Sequence, residues 1–237
     1  MTPPRSPATR GALPPKGAFA ALGRPGGGSM RRTPLALALL LAAGAACAQS
    51  AAPPAAALAY RASLTRTARA VWGMEAPVPV FAAQIHAESG WRPDAVSPVG
   101  ALGLAQFMPA TARWIAGRDP ALVAGQPYNP AWAMRAMVVY DQYLFGQAPA
   151  RYTARDRMWV ALRGYNGGMG HWQNEARAAL LPPLGEGRDG GMPTREQVDA
   201  ACGQASRSIK HCAENLTYPK RILIDLQPRY AAWGPVL

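Results

Sequence analysis

The chain has 237 residues, 49% of them apolar and 16% charged, with a formal net charge of +12 at pH 7. That is enough apolar material for a real core, so a wholly disordered or low-complexity chain is excluded, and one domain is expected once the ends are trimmed. The basic excess first suggests nucleic acid or an acidic surface as partner. Its placement weakens the nucleic-acid reading: Arg5, Arg10, Lys16, Arg24, Arg31 and Arg32 lie within residues 1–48, which hold no acid, and supply half of it. What remains is a moderately basic domain with seven tryptophans, a supply of rings that suits a lined groove as well as a core.

Residues 1–29 are Pro, Gly, Ala and Arg without apolar periodicity. They cannot bury enough surface to order themselves and read as a disordered leader or an over-extended gene start. At Met30 the character changes. Met30-Arg31-Arg32 forms a basic n-region, residues 35–46 an apolar h-region, and Ala46-Cys47-Ala48 an A-x-A cleavage site. Residues 30–48 therefore read as a signal peptide, which predicts export to the periplasm. The apolar run is too short for a comfortable membrane span, which leaves a membrane anchor as the alternative. Gly44 argues against acylation at Cys47, since a larger apolar residue is normally wanted there. Cleavage after Ala48 leaves Cys202 and Cys212. An even count in an exported chain favours a disulfide over two thiols, and closing so short a loop stabilises by roughly 2–3 kcal/mol.

Residues 49–57 are an Ala/Pro linker, and the domain is expected over 58–237. A first helix is predicted over 58–72, with Leu64, Ala68 and Val71/Trp72 on one side. Pro77 and Pro79 break the chain before a second helix over 80–89. In it Phe81, Ile85 and Glu88 fall at i, i+4 and i+7, so a carboxyl group continues the apolar stripe. A carboxyl facing an apolar wall is desolvated and its pKa rises, which is what a general acid near neutral pH needs. Gly90 and Pro93 end that helix, and Pro98, Gly100 and Gly103 shape the loop beyond. Asp94, the nearest other acid, is expected exposed in that loop.

Pro109 opens a short helix to residue 115, closed by Gly117. Asn129-Pro130 is a cap-plus-N1 pair for a long helix to about residue 145, with Met134, Met137, Val138 and Leu144 inward. Asp156 is expected to cap the next, with Met158, Trp159 and Leu162 buried. That helix runs into Gly164-Tyr165-Asn166-Gly167-Gly168, which reads as too glycine-rich to continue helical. Residues 181–192 are a Pro/Gly-rich loop. Thr194 with Gln197 makes a capping box for a helix through Val198 and Ala205. The last helix is expected to begin at Tyr218-Pro219 and to carry Ile222, Leu223 and Leu226 to a stop near Pro228. There is no alternating strand pattern and no internal repeat, so the fold class is all-α.

Most other chemistries find no residues. His86, His171 and His211 form no metal spacing, and HExxH is absent. His86-x-Glu88 lacks the downstream Pro-Cys-x-x-Cys of zinc deaminases. There is no G-x-S-x-G elbow and no phosphate loop. Neither a metal nor a cofactor is expected.

The stretch ESGWRPDAVSPVGALGLAQFMPATA, from Glu88 to Ala112, resembles the signature of the soluble lytic transglycosylase (SLT) family, a lysozyme-like family that cleaves peptidoglycan. The family's pattern is Glu-Ser, a loop Ser-x-x-Gly-Ala-x-Gly-Leu, then Gln-Phe-Met-Pro-x-Thr-Ala. Its parts stand here as Glu88-Ser89, Ser97, Gly100-Ala101, Gly103-Leu104, Gln106 and Thr111-Ala112. Gly164-Tyr165-Asn166-Gly167-Gly168 resembles the family's Ala-Tyr-Asn-Ala-Gly segment. Glu214 to Tyr218-Pro219 resembles its Glu-Thr-x-x-Tyr motif, with Asn215 in place of the threonine. The resemblance implies a single lysozyme-like helical domain, α+β at most with a minimal sheet, and a substrate groove. It implies Glu88 as the catalytic acid and base, Ser89, Ser97, Gln106, Tyr165 and Asn166 as substrate contacts, and Tyr218 reaching Glu88 to hold it.

The implied reaction is lytic cleavage of the MurNAc–GlcNAc β-1,4 bond, leaving 1,6-anhydromuramoyl ends. The alternatives are a muramidase that uses water, or a catalytically silent glycan-binding assembly factor. The implied partner is the peptidoglycan strand, met by a monomer. Small single-domain members also suggest local wall opening for an envelope-spanning secretion or conjugation machine.

Overall fold

A computed structural model describes residues 52–181, 191–204 and 209–237. The leader, the signal-peptide reading and all but the ends of the 181–192 loop lie outside the described residues. Among the described residues eight α-helices run in the order α1 Ala55–Trp72, α2 Val78–Ser89, α3 Pro109–Ala116, α4 Pro130–Gln147, α5 Ala154–Gly167, α6 Met169–Ala178, α7 Arg195–Ala200 and α8 Ile209–Lys220. A π-helical segment, Arg221–Leu226, and a 3-10 segment, Gln227–Trp233, continue from α8. No strand occurs among the described residues. The minimal sheet reduces to two isolated bridges, Val96 with Leu102 and Leu102 with Phe107, so the expected all-α class holds.

The ends of the helices follow from local chemistry. Pro79 opens α2 and Pro109 opens α3, where a missing N–H costs nothing. Gly90 closes α2 in the left-handed region, its N–H bonded to the carbonyl of His86 at 3.1 Å. Asn129 caps α4 by accepting from the N–H groups of Ala131 and Trp132 at 2.9 and 3.3 Å. The capping box of Thr194 and Gln197 forms at α7. Helix α1 starts at Ala55, so the linker is shorter than read.

Three expectations are corrected. The cap of α5 is Thr153, whose hydroxyl oxygen accepts from the N–H of Asp156 at 3.1 Å; Asp156 sits in the first turn and pairs instead with Arg195 at 3.0 Å. Helix α5 also continues through Gly164-Tyr165-Asn166 to Gly167. A Cβ at Gly164 would stand 3.0 Å from Met169 Cε and 3.2 Å from Leu144 Cδ2, so this glycine serves close packing of α5 on α4 and α6 rather than a turn. Finally, α8 begins at Ile209 and carries Pro219 inside it. The hydrogen bond a proline removes is accommodated by the change to π-helical winding two residues later.

Helix α2 is the hub. All its residues from 78 to 85 are buried, and α1 and the C-terminal segments pack on it. Helix α4 lies between α1 and α5, contributing Met134, Met137, Val138 and Leu144 to the same core. A second, smaller apolar cluster, including Val160, Trp172 and Val198, gathers α5, α6 and α7.

Between the two clusters sits a buried cation. Arg163 of α5 has no exposed surface. It pairs with Glu175 of α6 and, at 2.8 Å, with Asp199 of α7, and it donates to Asn215 Oδ1 of α8 at 2.9 Å. Cys202 and Cys212 are joined by the expected disulfide, with Cα atoms 5.7 Å apart, linking the chain after α7 to α8. Removing one partner of a buried ion pair leaves the other charge uncompensated. Arg163→Met is therefore expected to lower stability by about 3–5 kcal/mol, read as a fall in the urea denaturation midpoint.

Candidate active site

Glu88 lies on the last turn of α2, where that buried helix reaches the surface. The chain then turns sharply through two residues in left-handed conformation, Gly90 (φ 61°) and Trp91 (φ 70°). For tryptophan this conformation is costly, and tertiary contacts hold it. Its indole is 2% exposed and donates to the Tyr230 hydroxyl at 2.9 Å, and the same hydroxyl lies 2.7 Å from His86 Nδ1. The helix end that carries Glu88 is thus clamped on both sides of the carboxylate.

The loop after Trp91 is equally determined. The two bridges fold residues 96–107 back on themselves. Gly103 (φ 72°) passes so close to its neighbour that a Cβ there would lie 2.0 Å from the Pro127 carbonyl oxygen, so no other residue fits. Gln106 also has a positive φ, 49°. Its amide N–H groups donate to the carbonyls of Ala95 at 3.2 Å and Gly103 at 2.9 Å. Ser97 Oγ accepts from the N–H of Ala101 at 2.9 Å. Both polar side chains therefore brace the loop that presents them.

This loop, α3, α4 and α5 enclose a hollow of about 380 Å³ whose wall includes Glu88, Ser97, Gln106, Tyr165 and Asn166. Thr111, Phe107 and Tyr140 complete much of the rest. The two hollows of about 620 Å³ each lie elsewhere on the surface, and neither has Glu88 or a residue of these motifs in its wall. Tyr165 donates from its hydroxyl to the Ala105 carbonyl at 2.7 Å, joining α5 to the loop. Asn166 is exposed and receives a hydrogen bond from Asn215 Nδ2 at 3.4 Å. Asn215 also donates to the Arg163 carbonyl at 2.9 Å, so the residue standing in place of the motif's threonine has its own set of contacts.

Two predicted residues stand outside the wall. Ser89 is 3% exposed and donates to the Ile85 carbonyl at 3.4 Å within its own helix. Tyr218 lies behind the carboxyl and hydrogen-bonds Glu88 Oε1 from α8.

The electrostatics of Glu88 follow from this enclosure. Protein surrounds the carboxyl except where it meets the hollow. Burial pushes its pKa up to about 7, against a smaller opposing effect of the Tyr218 hydrogen bond and then of Arg221. The Tyr218 phenol is itself pushed well above its ordinary range, by burial first and by Glu88 next; it stays a donor at any pH of interest. Glu88 can thus hold a proton at neutral pH and also release it, which is the requirement for one group to act as acid and then base.

Residues 66–180 match the transglycosylase SLT domain family. They belong to it. Among proteins similar to the chain are membrane-bound lytic murein transglycosylases F of Maricaulis maris, 34% identical over 110 residues, and of Marinobacter nauticus, 34% identical over 117 residues. That of Pasteurella multocida is 30% identical over 119 residues. These alignments cover 46%, 49% and 50% of this chain and 22% of each relative, so the chain spans about a fifth of the curated relatives it matches. The SLT match contains Glu88, the loop, and Tyr165-Asn166, but stops before Tyr218; the hydrogen bond to Glu88 is what ties that last motif to the site. No described helix is long and apolar enough to cross a membrane.

Sequence reasoning passed over two residues beside Glu88 in the SLT domain. Tyr140 of α4 lines the hollow, its ring centroid 5.4 Å from that of Tyr165. Asp141 is fully buried and accepts from Gln84 Nε2 at 3.3 Å. Burial pushes its pKa well above the usual carboxylate range, opposed by the Gln84 hydrogen bond, while Glu88 raises it further. A signal existed: Met137, Asp141 and Leu144 fall at i, i+4 and i+7, the same acid-on-a-stripe pattern that singled out Glu88.

The raised pKa of Glu88 has a consequence for stability. Below about pH 4.5 the group is protonated in folded and unfolded chains alike and has no effect. Between there and about 7 the unfolded chain ionises first, so stability falls as pH rises; above about 7 the loss levels off at up to about 3 kcal/mol. Glu88→Gln is therefore expected to match the wild type in stability near pH 4 and to exceed it by up to that amount at pH 8, measured by chemical denaturation at both pH values.

Proposed function

We propose that this protein is a peptidoglycan lytic transglycosylase, exported to the periplasm, in which Glu88 acts as both acid and base. The observation that carries the reading is the Glu88 carboxyl itself. It is sunk in protein, poised near pH 7, hydrogen-bonded from behind by Tyr218, and open on its other side to a hollow walled by SLT-motif residues. The names of the similar proteins, lytic murein transglycosylases, agree with it.

In this reading a glycan strand lies in the hollow with a MurNAc–GlcNAc β-1,4 bond over Glu88. The protonated carboxyl gives its proton to the glycosidic oxygen as C1 of the muramoyl sugar becomes oxocarbenium-like, and the C1–O bond breaks. Glu88, now ionised, takes the proton of the sugar's own 6-hydroxyl, and O6 bonds to C1 to close the 1,6-anhydro ring. The carboxyl ends protonated, as it began. Tyr218 steadies the ionised intermediate state by donating to Oε1 throughout. Asn166, Gln106 through its amide oxygen, and Ser97 supply polar contacts to the sugars, with the Tyr165 and Tyr140 rings as apolar wall. Ser89 acts by holding the end of α2.

The hydrolytic alternative would place a second carboxylate where it could activate water. Asp94 is exposed in the loop and outside the wall, and Asp141 is buried in α4 behind it. Neither is set to hold water against C1, which favours the one-carboxylate route. Service to a secretion or conjugation machine by local wall opening is a further part of the proposal, and rests on resemblance to small members of the family.

Peptidoglycan digested with the full protein is expected to yield 1,6-anhydromuramoyl products by mass spectrometry. Glu88→Gln should yield none; reducing-end sugars instead would establish a hydrolase. The pH profile gives a second check. Activity requires protonated Glu88 in the free enzyme, so kcat/KM should fall as pH rises through about 7. Tyr218→Phe removes a contact that favours the ionised form, and should move that limb to higher pH while lowering the maximum rate.

A further inference from the structure

Beyond the hollow around Glu88, α3 and α4 carry aromatic rings that the proposed reaction leaves unused. Trp114 of α3 and Tyr143 of α4 are 39% and 38% exposed and lie outside the wall of the Glu88 hollow. Their centroids are 5.2 Å apart, and Trp114 also meets Tyr140 edge-on at 5.7 Å. These edge contacts account for the packing of α3 on α4. They do not account for the exposed remainder of the rings.

Trp114 and Tyr143 form one wall of a hollow of about 390 Å³. Thr111 and Tyr140 belong both to this hollow and to the one that holds Glu88, so the two adjoin. Aromatic contact is unbroken along the way: Tyr165 meets Tyr140 at 5.4 Å, and Tyr140 stacks on Tyr143 at 6.5 Å with planes 12° apart. Arg118 lies over Trp114 at 3.6 Å and over Tyr143 at 4.8 Å. It is not part of the hollow's wall. A guanidinium over a ring face is attractive and stiffens a shelf that would otherwise be two mobile side chains.

We propose that the Trp114–Tyr143 shelf is a saccharide subsite, taking a further sugar of the strand whose scissile bond lies over Glu88. The chemistry fits. One face of a pyranose ring presents C–H groups and is apolar, and the partly exposed aromatic surface of Trp114 and Tyr143 along this hollow is its complement. The continuity of the two hollows selects a sugar of the same strand over an unrelated ligand. The inference rests on the reading of the Glu88 hollow as a glycan groove, and it makes that groove longer: strands too short to reach the shelf bind without its contribution.

The test uses the full chain carrying Glu88→Gln, which cannot turn over ligand, titrated calorimetrically with chitin-derived oligosaccharides of increasing length. These have the sugar backbone and no peptide. Affinity is expected to step up once the oligomer is long enough to reach the shelf. Trp114→Ala or Tyr143→Ala, each added to that chain, should remove the step, a loss of roughly three- to tenfold, while leaving short oligomers unaffected; Trp114→Phe should keep most of it. Equal losses at all lengths would overturn the proposal, because they would place the effect in the central hollow or the fold, as would no loss at any length. Dependence on Trp114 seen only with peptide-bearing muropeptides would overturn the saccharide assignment in favour of the stem. If wild-type protein cuts no peptidoglycan while the length-dependent step is present, the catalytic reading fails and the shelf stands.

Discussion

Burial of one carboxyl group sets the terms for the rest of this structure. Leaving Glu88 in an apolar surround is unfavourable to its charge, and the fold places it there all the same, with Tyr218 of α8 hydrogen-bonded to it from 130 residues along the chain. That contact requires α8 to lie beside the end of α2. The requirement is met by a series of ties: the disulfide, the Arg163 cluster, and the π-helical passage that lets the chain continue past Pro219. On the other flank the Trp91 indole, the Tyr230 hydroxyl and the His86 ring hold the same helix end. Together these contacts tie α8 and the end of α2 to either side of the carboxyl.

Arg163 connects the small apolar cluster to this arrangement. Its guanidinium holds α6, α7 and α8, and its own carbonyl receives the amide of Asn215, which also reaches Asn166 at the edge of the hollow. A residue buried for stability and a residue exposed to the groove are thus one side chain apart. Asn215 takes the place the motif gives to threonine, and a longer amide with both donor and acceptor suits a neighbour as demanding as an arginine.

Much of the fold could be read from the chain wherever the signal was local. Pro109 and Asn129-Pro130 mark helix starts by their own chemistry, and Gly90 marks an end; Pro79, read as a break before the second helix, lies in the first turn of α2. Glu88 was legible because a 3.6-residue period exposes a polar residue out of place. The failures share a cause: the deciding contact lies elsewhere in the sequence. Gly164 looked like a breaker because nothing local says that Leu144 and Met169 will press against it. Pro219 looked like a start because the reach of α8 back to Ile209 depends on Cys212 and Asn215 being buried against other helices. Asp141 shares the spacing of Glu88 but lies amid apolar residues of α4, and no motif beside it sets it apart from the core.

The clamp at Gly103 has one more implication, for how a polymer is selected. A loop whose backbone lies too near the Pro127 carbonyl to admit even a methyl group is a mould already set. For the glycan strand proposed above, a loop held in this way would lose little contact energy to ordering. In the proposed reaction, discrimination at this part of the wall would fall at first encounter, by shape, without closure of this loop. On that proposal, a wall preset at Gly103 would favour ease of threading along an insoluble mesh over the selectivity of closure.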